Sequence, residues 1–211
     1  MPFTTYAELQ TAVLDRMDRN DDLTSEVTDW ITLAEEEICD WLRVSWTEKR
    51  AYATPTSAFV AVPTDFNGLR NLQWDYQNYR LSLQQVSPDL IDKVVAVTTS
   101  GVPVYFCMHD GQFELRPAPA ADNTTTVEIS YYFKPTPLSD SNTSNEILEN
   151  IPRILFYRVL AEGFSHLFDE EREAKYLALY EKGKRELLKN EEKVTWGGNP
   201  LRVVADSMRL M

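Results

Sequence analysis

Apolar positions recur every four residues at Leu9, Val13 and Met17, the spacing of one face of an α-helix. Thr5 stands three residues before Glu8, the spacing of a capping box, and the helix it opens closes in the polar run from Asp18 to Asp22. A second helix starts at Thr24 with acidic residues in its first turn and runs to about Arg43. Val27, Ile31, Ala34, Ile38 and Trp41 or Leu42 line its apolar stripe. Trp30 and Leu33 widen that stripe, so this helix is predicted to pack against at least two neighbours.

After Trp46 the period changes. Prolines at 55, 63, 88, 103, 117, 119, 135 and 137 punctuate short runs rich in β-branched and aromatic residues, which predicts strands. The clearest unit is a hairpin of residues 102–108 and 112–116, in which Asp110-Gly111 supplies the positive φ of the turn and His109 sits beside it. Residues 125–134 alternate Val127, Ile129 and Tyr131 as another strand. Further strands are expected over 47–53, 58–62, 69–75 and 80–84, with a short helix at Ser87-Pro88-Asp89-Leu90-Ile91.

Residues 138–145 are polar and turn-forming, a seam back to helices. Pro152 suits a first helical turn, and Ile154, Leu155, Phe156, Val159, Leu160, Phe164, Leu167 and Phe168 are apolar on most faces, which predicts a central buried helix. A fourth helix over residues 170–192 places Ala174, Leu177, Ala178, Leu187 and Leu188 against a charged face. Trp196-Gly197-Gly198-Asn199-Pro200 ends it. The fold class that follows is α+β: a bundle of about four helices with an antiparallel β domain inserted between helices two and three, and an extended C-terminal arm. The expected domains are a helical part of residues 1–46 and 146–193, a β insertion of 47–145 and an arm of 194–211.

A chain of 211 residues can bury a sizeable core, and its 43% apolar and 11% aromatic content is that of a globular protein. The longest apolar stretches are too short to span a bilayer. Met1-Pro2-Phe3-Thr4-Thr5-Tyr6 carries no signal-peptide pattern, so a cytosolic chain is expected. Cys39 and Cys107 stand far apart in different predicted elements, which excludes a CxxC site and predicts two small buried apolar residues. The net charge of −12 argues against non-specific nucleic-acid binding.

Candidate chemistry is sparse. Seven glycines form no GxGxxG, GxxxxGK[ST] or GxSxG pattern. His109 reads as a polar turn residue. His166 and Asp169 read as a helix end rather than a proton relay. Glu35-Glu36-Glu37 point about 100° apart on a helix, so they do not converge on one metal ion, and a solvated or interface face is expected. Lys182, Lys184, Arg185, Lys189 and Lys193 are interleaved with Glu181, Glu186, Glu191 and Glu192. That pattern fits a solvated helix with pairs such as Glu181 to Arg185, or a docking face for an acidic partner. No cofactor, no metal and no enzymatic activity are expected.

The order of several short motifs resembles that of tailed-bacteriophage head-to-tail adaptor proteins of the tail tubular protein A type. Thr5, Tyr6, Glu8 and Leu9 are followed by Trp30-Ile31, Leu33-Ala34-Glu35 and Trp41-Leu42-Arg43. Then come Val62-Pro63-Thr64-Asp65-Phe66 with Leu69-Arg70, Gly101-Val102-Pro103-Val104-Tyr105, Leu115-Arg116-Pro117-Ala118-Pro119, Tyr131-Tyr132 and Pro137-Leu138-Ser139, before the helix at Pro152. The resemblance covers roughly residues 5–190 and leaves out the arm.

It implies a structural subunit of the virion neck, assembled in the host cytoplasm as a dodecameric ring. The portal protein would lie above, a nozzle or tail protein below, with double-stranded DNA passing through unbound and no membrane involved. Trp30, Trp41, Glu35 and Arg43 are the candidates for the ring interface. Lys182, Arg185, Lys189, Trp196, Arg202, Arg209 and Met211 are the candidates for portal docking, with the arm expected to gain order on a partner. Another neck or tail-completion ring is the alternative, and a small hydrolase or a DNA-contacting tail accessory are more distant ones.

Overall fold

The structure, a computed structural model, describes residues 3–18, 23–76, 79–94 and 100–196. It divides into two compact units, Met1–Ile38 with Thr136–Met211, and Cys39–Pro135.

The first unit is helical. Helix α1 (Tyr6–Met17) opens as the sequence predicts: the Glu8 amide donates to Thr5 Oγ1 at 3.4 Å, and the Thr5 amide returns to Glu8 Oε2 at 3.3 Å. Asp18, at φ 57°, ends it in the left-handed region. Helix α2 (Thr24–Trp41) buries Val27, Trp30, Ile31, Ala34 and Ile38. Leu33 does not widen the buried stripe. It is exposed on the opposite face with Thr32 and Glu36, because it stands about 200° round the helix from Ile31.

A short helix that the sequence reading did not separate, α4 (Glu146–Asn150), follows the polar seam, with the Asn145 side chain accepting from the Leu148 amide at 3.0 Å. Pro152 then starts α5 (Pro152–His166), buried through Ile154, Leu155, Phe156, Val159, Leu160, Ala161 and Phe164. Gly163 permits close approach: a Cβ there would stand 2.8 Å from Met17 Sδ and 3.0 Å from the Trp30 ring.

Helix α6 (Glu170–Trp196) starts at Asp169, whose Oδ1 accepts from the Arg172 amide at 3.1 Å. Its buried face differs from the expected one. Tyr176 and Tyr180 are the buried anchors, Tyr176 stacking on Phe164 at 5.4 Å, while Ala174, Leu177 and Ala178 are exposed. A tyrosine offers a large apolar ring with one polar tip, so two of them outweigh two alanines and a leucine in deciding which face turns inward.

The second unit is two sheets sharing one core. The first sheet has the order β1 (Glu48–Ala53), β8 (Val127–Phe133), β3 (Phe66–Tyr76), β4 (Tyr79–Ser82). The second has the order β2 (Phe59–Ala61), β7 (Gln112–Arg116), β6 (Tyr105–His109), β5 (Gln84–Gln85). Val127, Ile129, Tyr131 and Phe133 alternate inward from β8 and meet Phe106, Phe113 and Leu115 of the other sheet.

Asp110-Gly111 makes the β6–β7 turn, as expected, at φ 48° and φ 67°, but His109, expected within the turn, instead ends strand β6 and pairs with Gln112, so the connection is two residues long. The insertion is not wholly antiparallel. Strand β5 pairs parallel with β6, and α3 (Pro88–Val94) lies in the connection between them. Cys39 and Cys107 are both buried thiols, as predicted.

Candidate functional site

Trp30 is buried at 5% exposure, its ring 5.5 Å from that of His166. Glu35 is buried at 3%. Its Oε2 accepts from the Leu138 amide at 3.0 Å and its Oε1 from Asn145 Nδ2 at 2.6 Å, so this carboxylate ties α2 to the segment after the β unit. Its two neighbours fan away as helical geometry requires: Glu36 is exposed, and Glu37 pairs with Arg158, which also holds Glu162. Of the three, for which a solvated or interface face was expected, Glu36 is exposed and Glu37 partly so, whereas Glu35 is buried within its own unit.

In the second unit Trp41 is half-buried. Arg43 closes the end of α2, donating from Nη1 to the carbonyls of Cys39 at 3.3 Å and Leu42 at 3.1 Å, and from Nη2 to that of Asn67 at 3.1 Å. Its guanidinium lies 5.8 Å from the centre of the Tyr132 ring and fills the space over Gly68, where a Cβ would stand 2.8 Å from Arg43 Nε. Trp30 and Glu35 therefore fall together in the helical unit, and Trp41 and Arg43 in the β unit.

On α6, Lys182, Arg185 and Lys189 are exposed at positions that share a helix face. Lys182 lies 4.0 Å from Glu186, and Arg185 Nε donates to the Glu181 carbonyl at 3.3 Å rather than to its carboxylate. The Trp196 side chain, Arg202, Arg209 and Met211 lie outside the described residues.

Three arrangements were not legible in the sequence. The first explains the Pro63-Thr64-Asp65-Phe66 motif. Asp65 accepts from Tyr131 Oη at 2.8 Å and from Lys49 Nζ at 2.9 Å, while its own carbonyl accepts from the Lys134 amide at 2.7 Å. Burial pushes the Asp65 carboxyl up, but the Lys49 and Tyr131 hydrogen bonds outweigh it and hold the group below its usual range. Burial first, and then the Asp65 hydrogen bond and charge, push the Tyr131 phenol up to about 12.

A phenol whose folded pKa is raised contributes stability that is complete below its unfolded value, near 10, and lost as pH rises through the folded one. The β unit is therefore expected to lose stability between about pH 10 and pH 12, and Tyr131→Phe to flatten that loss. Denaturant midpoints measured across this interval would decide it; an unchanged slope in Tyr131→Phe would contradict the assignment.

The second arrangement is a charged outer face on the first sheet. Glu128, buried at the sheet centre, lies 3.5 Å from Arg50 Nε and 2.8 Å from Arg80 Nη1, the latter an ion pair outside hydrogen-bonding angles. Arg70 pairs with Glu48 on the same sheet. The third is a depression of about 450 Å³ lined by Phe66, Leu69, Gln85, Phe106, Met108 and Phe113.

A fourth cluster surrounds Cys107. Cys107 Sγ donates to Glu114 Oε2 at 3.7 Å, and burial, then the Glu114 charge, push its thiol up, away from the nucleophilic thiolate. Glu114 also pairs with Arg116, and Asp92 lies 3.7 Å from the same guanidinium. Among the described residues no three His, Cys, Asp or Glu side chains are grouped to hold a metal ion, and no helix is long and apolar enough to cross a membrane.

A family model described as SU10 adaptor protein matches residues 4–204, spanning both units. No curated protein matches the chain.

Proposed function

We propose, because the chain belongs to the SU10 adaptor protein family of phage head-to-tail adaptors, that it assembles into a ring joining the portal protein to the first tail component. The family is structural and non-enzymatic. The observation that carries the proposal is the match over residues 4–204, which takes in the helical unit and the β unit together. A closed ring needs heterologous contacts, one face of a subunit against a different face of the next, and a chain of two unlike units supplies such faces. A net charge of −12 suits a channel that DNA passes without being held.

In this reading the ring is dodecameric and the helical unit carries much of the subunit contact. The exposed Lys182, Arg185 and Lys189 face the portal together with Trp196, Arg202, Arg209 and Met211. A nozzle or tail protein binds below, and the assembly stands in the virion neck.

The test mixes the purified chain with the portal protein of the same phage and follows sedimentation and electron microscopy. The expected result is a ring-shaped complex, lost on deletion of residues 196–211 while circular dichroism stays that of a folded chain. Portal binding retained by the truncated chain would remove the arm from the proposal, and absence of any complex with the full chain would overturn it.

A further inference from the structure

Asn67-Gly68 is the one Asn-Gly pair in the chain. In such a pair the glycine nitrogen can attack the side-chain amide carbon of the asparagine, because glycine has no Cβ to hinder the approach and its backbone turns freely. The nitrogen's proton passes to solvent, the new N–C bond closes a succinimide ring, and the side-chain nitrogen leaves as ammonia. Water then opens the ring at one carbonyl or the other, giving aspartate or isoaspartate. The glycine has a structural cause here: a Cβ at residue 68 would stand 2.8 Å from Arg43 Nε, so the approach of the arginine requires it. The residue that lets Arg43 in is therefore also the one that makes Asn67 reactive.

Ring closure has a geometric demand. The Asn67 side chain must swing towards the Gly68 nitrogen, and the peptide between them must rotate out of the extended strand β3. Both movements are held. Asn67 Nδ2 donates to the Cys39 carbonyl at 2.6 Å, which fixes the side chain to the end of α2. Arg43 Nη2 donates to the Asn67 carbonyl at 3.1 Å, which fixes the peptide, and Arg43 Nη1 donates to the same Cys39 oxygen at 3.3 Å. These bonds link Cys39, Arg43 and Asn67 in a closed loop, at the point where the pairing of β3 with β8 shifts register between Phe66 and Gly68. A strand is least constrained by its ladder at such an irregularity, so the side-chain latch supplies the restraint that the sheet does not. The charge of Arg43 beside the Asn67 carbonyl also eases loss of the Gly68 amide proton, but a more acidic amide cannot close a ring whose angles are held.

We infer that Asn67 is a latent deamidation site whose rate is set by the Arg43 latch. Aspartate at this position would set a carboxylate against the Cys39 carbonyl in place of a donor, and isoaspartate would also add a methylene to the backbone of β3. Either product undoes the latch, and the lost ammonia makes the step one-way.

The test incubates full-length wild type, Arg43→Ala and Tyr131→Phe in mildly alkaline buffer, with wild type in urea as the unprotected reference. Isoaspartate at residue 67 is followed by peptide mapping and mass spectrometry. A reaction that proceeds through local opening speeds up by the factor that the lost contacts add to the open fraction, and about tenfold is expected for native Arg43→Ala over native wild type. The urea sample should be fastest. Tyr131→Phe weakens the same unit away from the latch and should keep the wild-type rate. Arg43→Lys keeps the charge without the fork that spans both carbonyls, and should fall between wild type and Arg43→Ala, which keeps the test open where circular dichroism shows Arg43→Ala unfolded. Native wild type reacting as fast as the urea sample would overturn the protection, and no isoaspartate at residue 67 in urea would overturn the site. Arg43 variants at the wild-type rate, or Tyr131→Phe accelerated as much as Arg43→Ala, would overturn the latch.

Discussion

Trp30→Ala is expected to lower the unfolding free energy of the isolated, unassembled chain by about 3–5 kcal/mol, the range for removing a large aromatic side chain from a packed interior. The ring is 5% exposed, lies against Gly163 of α5 and sits 5.5 Å from the His166 ring, tilted 52° to it. Gly163 can approach so closely because it has no Cβ, so neighbouring atoms have little freedom to collapse into the space left behind. The measurement is denaturant unfolding at concentrations too low for assembly, followed by far-ultraviolet circular dichroism. Leu33→Ala, three residues along the same helix, is the control: an exposed site should change stability by no more than about 0.5 kcal/mol. A Trp30→Ala cost below that of Leu33→Ala would mean that the tryptophan serves an interface instead of the interior.

The second large effect is expected at Glu35. Glu35→Ala removes the acceptor of the Leu138 amide and of Asn145 Nδ2, both in buried surroundings, and a buried donor left without a partner costs about 1–3 kcal/mol. Because the carboxylate joins residues more than a hundred positions apart, its loss also loosens the return of the chain from the β unit into α4. Glu35→Gln keeps one acceptor oxygen and should fall between wild type and Glu35→Ala. Glu36→Ala, exposed on the adjacent position, should be near neutral. Equal effects at Glu35 and Glu36 would show that the two hydrogen bonds carry no stability. Hydrogen exchange at the Leu138 amide gives an independent reading, since that proton is protected only while Glu35 accepts from it.

Local signals account for what was legible beforehand. The Thr5–Glu8 capping box, the Asp110-Gly111 turn and Pro152 at a helix start each act within a few residues, so the sequence carries them directly. The four-residue recurrence in α1 and the near-continuous apolar run of α5 likewise fix which elements exist and that α5 is deeply buried. The motif order from Thr5 to Pro152 was enough to place the chain with head-to-tail adaptors, and the family match over residues 4–204 agrees.

Only the tertiary structure decided which side of each element faces inward and which polar groups are consumed. Tyr176 and Tyr180, not Ala174 and Leu177, turn into the core because α5 offers Phe164 to one of them, a partner no periodicity in α6 reveals. Glu35 and Asp65 look like ordinary surface carboxylates until Asn145, Tyr131 and Lys49 arrive from distant positions and desolvate them. The order β1-β8-β3-β4 and the parallel β5–β6 pair are also choices among strands of similar composition. The physical reason is common to all of these. Helix formation, caps and tight turns are settled by interactions a few residues long, whereas burial, strand partnership and carboxylate pairing depend on contacts whose sequence separation leaves no periodic trace.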